Sequence, residues 1–221
     1  MEIKRTEFKL IDIDYPAVEI YSPDNKTNAI VIHGFGGNKE EQLGLSLRIS
    51  MMGFNTYAID LRGHGENSRP LDSSVMDDVN AIVDKLREKG KVVTIGHSLG
   101  GRLSLLSKAD FRIGISPALN KTFSNETMNV INSLRKYRVN ELSDGINFSI
   151  LKDLPLVEES LREDDLILYG TRDVPEIKKR CEELKVKHGR IVEIRNALHN
   201  DIFLLEQTFQ ELRTHLESIA R

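Results

Sequence analysis

The chain of 221 residues has one cysteine, no tryptophan and no apolar run long enough to cross a bilayer. Cys181 therefore has no internal disulfide partner; it shares a helical stripe with Ile177 and Leu184, as a small buried hydrophobe does. An excess of one charge is also missing. The 31 basic and 34 acidic residues leave a net charge of -3, so no global attraction to nucleic acid is expected. The local run Lys178, Lys179, Arg180 reads as a solvated helix face. The first ten residues mix charges throughout, whereas a secretory signal follows its basic start with an apolar stretch. The expected location is the cytoplasm, without membrane insertion. No linker, internal repeat or low-complexity segment divides the chain, and 39% hydrophobic residues suffice for one core. One domain over residues 1–221 is expected.

What is present alternates between two periods. Residues 8–13 and 17–21 read as short strands turning at Tyr15-Pro16, followed by strands at 28–33, 56–61, 91–95, 111–116, 166–169 and 190–195. Helices are predicted over 39–52, with Leu43, Leu47 and Met51 aligned and Gly53 as the stop, and from Ser74, which with Asp77 resembles a capping box. In that second helix Val75, Val79, Ile82 and Leu86 share a face and Gly90 closes it. Further helices are predicted from Ser98, with Leu103 and Leu106 inward, over 175–186, and over 202–220 with Leu205, Phe209, Leu212, Leu216 and Ile219 on one side. This alternation implies an α/β fold with a mostly parallel sheet covered on both faces. Residues 117–164 break the rhythm. They hold helical patterns at 125–137 and 146–161, interrupted by Gly145 and Pro155, and are too long for a connection. They read as a small helical cap whose inner surface draws on Met128, Ile131, Leu134, Phe148 and Ile150, or whose residues pack it onto the body.

The strand at 91–95 runs directly into Gly96-His97-Ser98-Leu99-Gly100. A strand that becomes a helix within one residue forces the central side chain outward, and neighbours two positions away must be small. Gly96 and Gly100 meet that demand, so Ser98 is the candidate nucleophile and the Leu99 N–H, at a helix start, a candidate oxyanion donor. A serine needs a base, an orienting carboxylate and an oxyanion site. In parallel sheets such groups collect beyond the carboxyl ends of strands. His33-Gly34-Phe35-Gly36-Gly37 is one such loop, supplying the Phe35 N–H as second donor with His33 and Gly34 in support. Asp173 follows the strand at 166–169 and is the candidate orienting carboxylate; standing before Val174-Pro175 it equally suits a helix N-cap. Asp164 and Asp165 precede that strand. His199 follows the last strand and is the candidate base. His64 also lies in a post-strand loop but precedes the serine, His97 supports the elbow, and His188 and His215 fall at helical positions.

The order Ser98, Asp173, His199, together with Gly-His-Ser-Leu-Gly-Gly, His-Gly-Phe-Gly-Gly and Asp60-Leu-Arg-Gly-His-Gly, resembles the serine α/β-hydrolase superfamily over nearly the whole length. The motifs are most similar to its carboxylesterase, acylglycerol-lipase and serine-aminopeptidase-like branch. The resemblance implies an eight-stranded sheet with an antiparallel second strand and a cap after the sixth. It also implies a carboxylesterase that cleaves small to medium acyl esters through an acyl-serine, with no metal or organic cofactor. The compact insertion points away from long-chain triglycerides. Thioesters, carbon–carbon bonds and peptide N-termini are alternative targets, the last requiring an acidic group such as Glu126, Glu158 or Glu159. A ligand-binding protein of the same fold is the reading from another class. The sequence leaves the oligomeric state open.

Overall fold

The computed structural model describes residues 1–10, 13–140, 149–188 and 190–219. Its strands are β1 (Glu2–Leu10), β2 (Ile13–Tyr21), β3 (Thr27–Ile32), β4 (Phe54–Ile59), β5 (Val92–His97), β6 (Phe111–Ile115), β7 (Leu166–Arg172) and β8 (Ile191–Leu198). They form one eight-stranded sheet in the order β1-β2-β4-β3-β5-β6-β7-β8. β2 runs antiparallel to both β1 and β4, and the pairs from β4 through β8 are parallel. The strands β4 and β5 are buried at every position, as continuous apolar runs must be between two helical layers.

Two helices cover one face and three the other. Leu45 and Ile49 of α1 (Leu43–Ser50) pack with Phe209, Leu212 and Leu216 of α7 (Glu206–Ile219) against Val31, Ile95 and Ile113. On the opposite face lie α2 (Val75–Arg87), α3 (Leu99–Leu106) and α6 (Pro175–Lys185). The expected stripe Val75, Val79, Ile82 and Leu86 is buried there, and Cys181 lies among Ile177, Leu184 and Tyr169. Burial pushes the Cys181 thiol well above its ordinary range, which leaves it un-ionised.

Several local expectations give way to tertiary packing. Tyr15 and Pro16 are not a turn: they pair with Phe8 and Glu7 inside the β1–β2 ladder, because Tyr15 is wholly buried in the core. The α-helix near residue 43 is shorter than 39–52 and is preceded by a 3-10 turn at Glu40–Gln42. Its predicted stripe faces outward, with Leu47 36% and Met51 72% exposed. Leu45 and Ile49 face the sheet instead, since the small Ser46 between them allows the Ser46 carbonyl to approach Thr56 Oγ1 to 3.3 Å. The Ser74 side chain makes no cap; its N–H donates to Asp72 Oδ1 at 2.9 Å in the turn before the helix. The last helix starts at Glu206, after a 3-10 turn at Ile202–Leu204.

Between β6 and β7 the chain forms α4 (Asn125–Arg135), 3-10 turns at Lys136–Arg138 and Val157–Glu159, and the short α5 (Ser149–Asp153). Gly145, Phe148 and the expected helical residues 146–148 lie outside the described residues. A guanidinium ties both ends of this insertion to α3. Arg102 is fully buried and donates to the carbonyls of Ala118, Asn120, Leu154 and Pro155 at 2.9 to 3.2 Å. Burial pulls its pKa down to about 10.

Candidate active site

Ser98 stands at the carboxyl end of β5 with φ 54° and ψ −115°, a conformation few non-glycine residues adopt. The surrounding backbone fixes it: the Ser98 N–H donates to the Ile115 carbonyl at 3.0 Å, and its own carbonyl accepts from Ala118 and Arg102 N–H at 3.0 and 3.1 Å. The close approach of strand and helix explains the glycines. A Cβ on Gly96 would collide with the Gly100 carbonyl, and one on Gly100 would lie 2.5 Å from the His33 carbonyl oxygen. On Gly34 it would meet the Ser98 Cβ at 2.9 Å.

Three side chains from different post-strand segments converge in a line. His199 Nε2 lies 3.1 Å from Ser98 Oγ, and His199 Nδ1 lies 2.8 Å from Asp173 Oδ1. The buried Asp173 carboxylate also accepts from Ser116 Oγ at 2.5 Å, from the Gly170 N–H at 3.2 Å and from the Val174 N–H at 2.8 Å. Burial alone would raise the Asp173 pKa; the donors, His199 first, outweigh it and hold the carboxyl below its ordinary value. Asp173 thus bonds the N–H of Val174, the residue that precedes α6, and His199 with the same oxygen. Asp165 is engaged elsewhere, paired with the buried Arg112 at 2.5 and 2.8 Å. Ser116 carried no motif. Its position after β6 and its φ of 45° mark it as one more group at the carboxyl edge of the sheet.

The loop after β3 is braced by two neutral imidazoles. His33 donates from Nδ1 to the Gly34 carbonyl at 2.7 Å and accepts the Leu61 N–H at Nε2. His64 donates from Nδ1 to the Arg62 carbonyl at 2.7 Å and accepts the Gly36 N–H at 3.0 Å. His64 therefore supports the glycine loop instead of facing Ser98. Its ring also meets Phe35 edge-on at 5.8 Å. His97 donates from Nε2 to the His199 carbonyl at 2.7 Å, so the residue before the elbow serine holds the main chain of the candidate base. Burial lowers His33 to about 4 and both His64 and His97 to about 3, and all three stay uncharged near neutrality. His215 pairs with Arg190, and His188 follows α6.

Gly34, Phe35, Ser98, Leu99 and His199 line one pocket. Its other walls are largely apolar. Ile131 and Leu134 of α4 belong to it, as expected; Met128 does not, and Ile150 is buried in the body beneath. Sequence reasoning missed Phe123, Leu151, Val174 and Ile177, and also the polar Gln42, Arg135 and Asn200. Glu126, Glu158 and Glu159 are not among its walls, and Glu158 pairs with Arg180. Among the described residues no group of three side chains is arranged to hold a metal, and no helix is long and apolar enough to cross a membrane.

The family model described as alpha/beta hydrolase fold matches residues 30–187. The human 1-acylglycerol-3-phosphate O-acyltransferase ABHD5 is 38% identical over 90 residues, covering 36% of this chain and 25% of that protein. The match thus spans about a quarter of that relative. An esterase of Pyrococcus furiosus superposes with a TM-score of 0.71 at 21% identity, over 98% of this chain and 91% of that one. A monoacylglycerol lipase of Paleococcus ferrophilus gives 0.64 at 22% identity, over 98% and 97%.

Proposed function

The chain belongs to the alpha/beta hydrolase fold family, and on that premise we propose that it is a serine hydrolase that cleaves small to medium carboxylic esters. The observation that carries this reading is the unbroken line from Asp173 through His199 to Ser98, at 2.8 and 3.1 Å. A buried carboxylate on Nδ1 fixes the tautomer that leaves Nε2 free to accept the serine proton, and it stabilises the imidazolium that results. Ser98 Oγ then attacks the ester carbonyl carbon. The oxyanion is stabilised by the N–H of Leu99, at the start of α3 where the helix dipole favours negative charge, and by the N–H of Phe35. His199 returns the proton to the alcohol oxygen as the C–O bond breaks, leaving the acyl group on Ser98. Water, deprotonated by the same histidine, releases the acid. Residues 117–164 act as a small cap within a single domain, bringing Phe123, Ile131, Leu134 and Leu151 over the acyl group. No metal or organic cofactor enters these steps.

The names of the similar proteins, an esterase and a monoacylglycerol lipase, support ester chemistry. The test is hydrolysis of 4-nitrophenyl butyrate by wild type and Ser98→Ala. The variant loses about 10⁴-fold or more in kcat with its unfolding midpoint retained, and Ser98 alone takes a fluorophosphonate label in the wild type. A Ser98→Ala variant that keeps most of its activity overturns the assignment.

A further inference from the structure

Beside Ser98 the pocket has a polar corner. Gln42 lines it yet is 1% exposed, and its buried amide oxygen has no hydrogen-bond partner among the described residues. An unpaired buried polar group costs free energy, and at a pocket wall a guest can complete its bonding. Rotating the amide by 180° exchanges acceptor for donor, so Gln42 can present an N–H to a guest.

Arg135, on the last turn of α4, lines the same pocket. Among the described residues its guanidinium makes only long contacts: 3.5 Å to the Gly36 carbonyl, 3.4 Å to Glu41 and 3.3 Å to Asn200 Oδ1. Glu41 is also bonded by Arg138, so two guanidiniums share one carboxylate among the described residues. Glu41 lines the pocket beside Arg135, and Arg138, which does not, draws on the same carboxylate from outside, so the Arg135 guanidinium is incompletely neutralised. A guanidinium in that state favours a negative group on the guest.

The side of the ester that meets this corner follows from proton transfer. His199 must protonate the departing oxygen, so the alcohol lies on the His199 side, and the next residue, Asn200, bonds Arg135. Resting on the hydrolase reading above, we propose that Arg135 and Gln42 form a subsite for an acidic group, carboxylate or phosphate, on the alcohol half of the ester. The apolar walls at Phe123, Leu151 and Ile177 then receive the acyl half.

The test compares kcat/KM for 3-carboxyphenyl butyrate, 3-phosphonooxyphenyl butyrate and the near-isosteric neutral 3-carbamoylphenyl butyrate. Wild type prefers at least one acidic ester by about tenfold or more, chiefly through KM, and the favoured ester identifies which acid is bound. Arg135→Gln and Gln42→Leu each reduce that preference to about a third or less, and Gln42→Glu, which adds a negative charge, reverses it. Circular dichroism and fluorophosphonate labelling of Ser98 verify that each variant is folded and reactive. Equal rates on the acidic and neutral esters in a labelled wild type, or a preference that survives all three substitutions, overturn the subsite and leave the hydrolase reading standing. Absence of labelling in folded wild type strikes at the hydrolase reading itself.

Discussion

Three imidazoles should make this fold unusually sensitive to mild acid. His33, His64 and His97 are at most 6% exposed, and their native pKa values of about 4, 3 and 3 lie below the ordinary histidine value. In His33 and His64 both ring nitrogens are already used, Nδ1 donating to a carbonyl and Nε2 accepting a main-chain N–H. A second proton would set two donors against each other inside the glycine loop. The unfolded chain binds those protons near pH 6.5 and the native state does not. The stability they confer is therefore complete above that value and falls as pH drops toward about 4 for His33 and about 3 for His64 and His97. From pH 7 to pH 5 each ring costs about 2 kcal/mol, or about 6 kcal/mol together, which is comparable with the whole stability of a domain. Asp173 acts in a different window: its depressed pKa confers stability above the ordinary carboxylate range that is lost only below it. Urea unfolding at pH 7, 6 and 5 measures the effect; with His215, which burial likewise lowers to about 4, the histidine contribution to the slope at pH 5 corresponds to uptake of about four protons on unfolding. His64→Gln should reduce the decline by about a quarter. A free energy that stays flat from pH 7 to 5 would refute the reasoning.

Three further outcomes follow from the elbow and its partners. Ser98→Gly abolishes ester hydrolysis but gains about 1 kcal/mol, since glycine accepts φ 54° without the strain borne by serine; a lowered unfolding midpoint in calorimetry would contradict this. Asp173→Asn keeps the fold and lowers kcat by about 10³ to 10⁴, because the amide no longer fixes the His199 tautomer; steady-state rates at constant pH decide it. Gly96→Ala drives a methyl group into the Gly100 carbonyl, which belongs to the backbone and cannot rotate away, at a cost of about 4 kcal/mol or more. A soluble variant with a near-native midpoint would show that the turn yields more than its geometry allows.

The parts legible in sequence were those governed by local geometry. Gly96 and Gly100 are required by the steric limits of one turn, and Val75, Val79, Ile82 and Leu86 by the helical period, and both readings match the folded chain. The errors arose where distant packing chose between local options. Leu43, Leu47 and Met51 form as good a stripe as Leu45 and Ile49, and only the sheet beneath, with room for Ser46, selects the second. Ser116 and Arg135 had no motif because each matters through a neighbour far along the chain: Ser116 to Asp173, Arg135 to Gly36. The local pattern at Asp173 fitted a cap as well as a histidine partner; the folded chain makes Val174 the N-cap of α6 without a side-chain cap, and Asp173 Oδ1 meets His199.

Arg102 gives the insertion a property that concerns its history more than its present contacts. One guanidinium holds Ala118 and Asn120 at the entrance and Leu154 and Pro155 near the exit, so the intervening chain begins and ends at fixed points on the helix that carries Ser98. The entropy of closing such a loop grows only logarithmically with its length, about 0.6 kcal/mol for each doubling. Exposed residues between the clasped ends can be exchanged at little cost to the scaffold, whereas Ile150 and Leu151 belong to its core. The α4 side of the pocket can in this way change shape while the Arg102 clasp and the machinery beneath it stay in place.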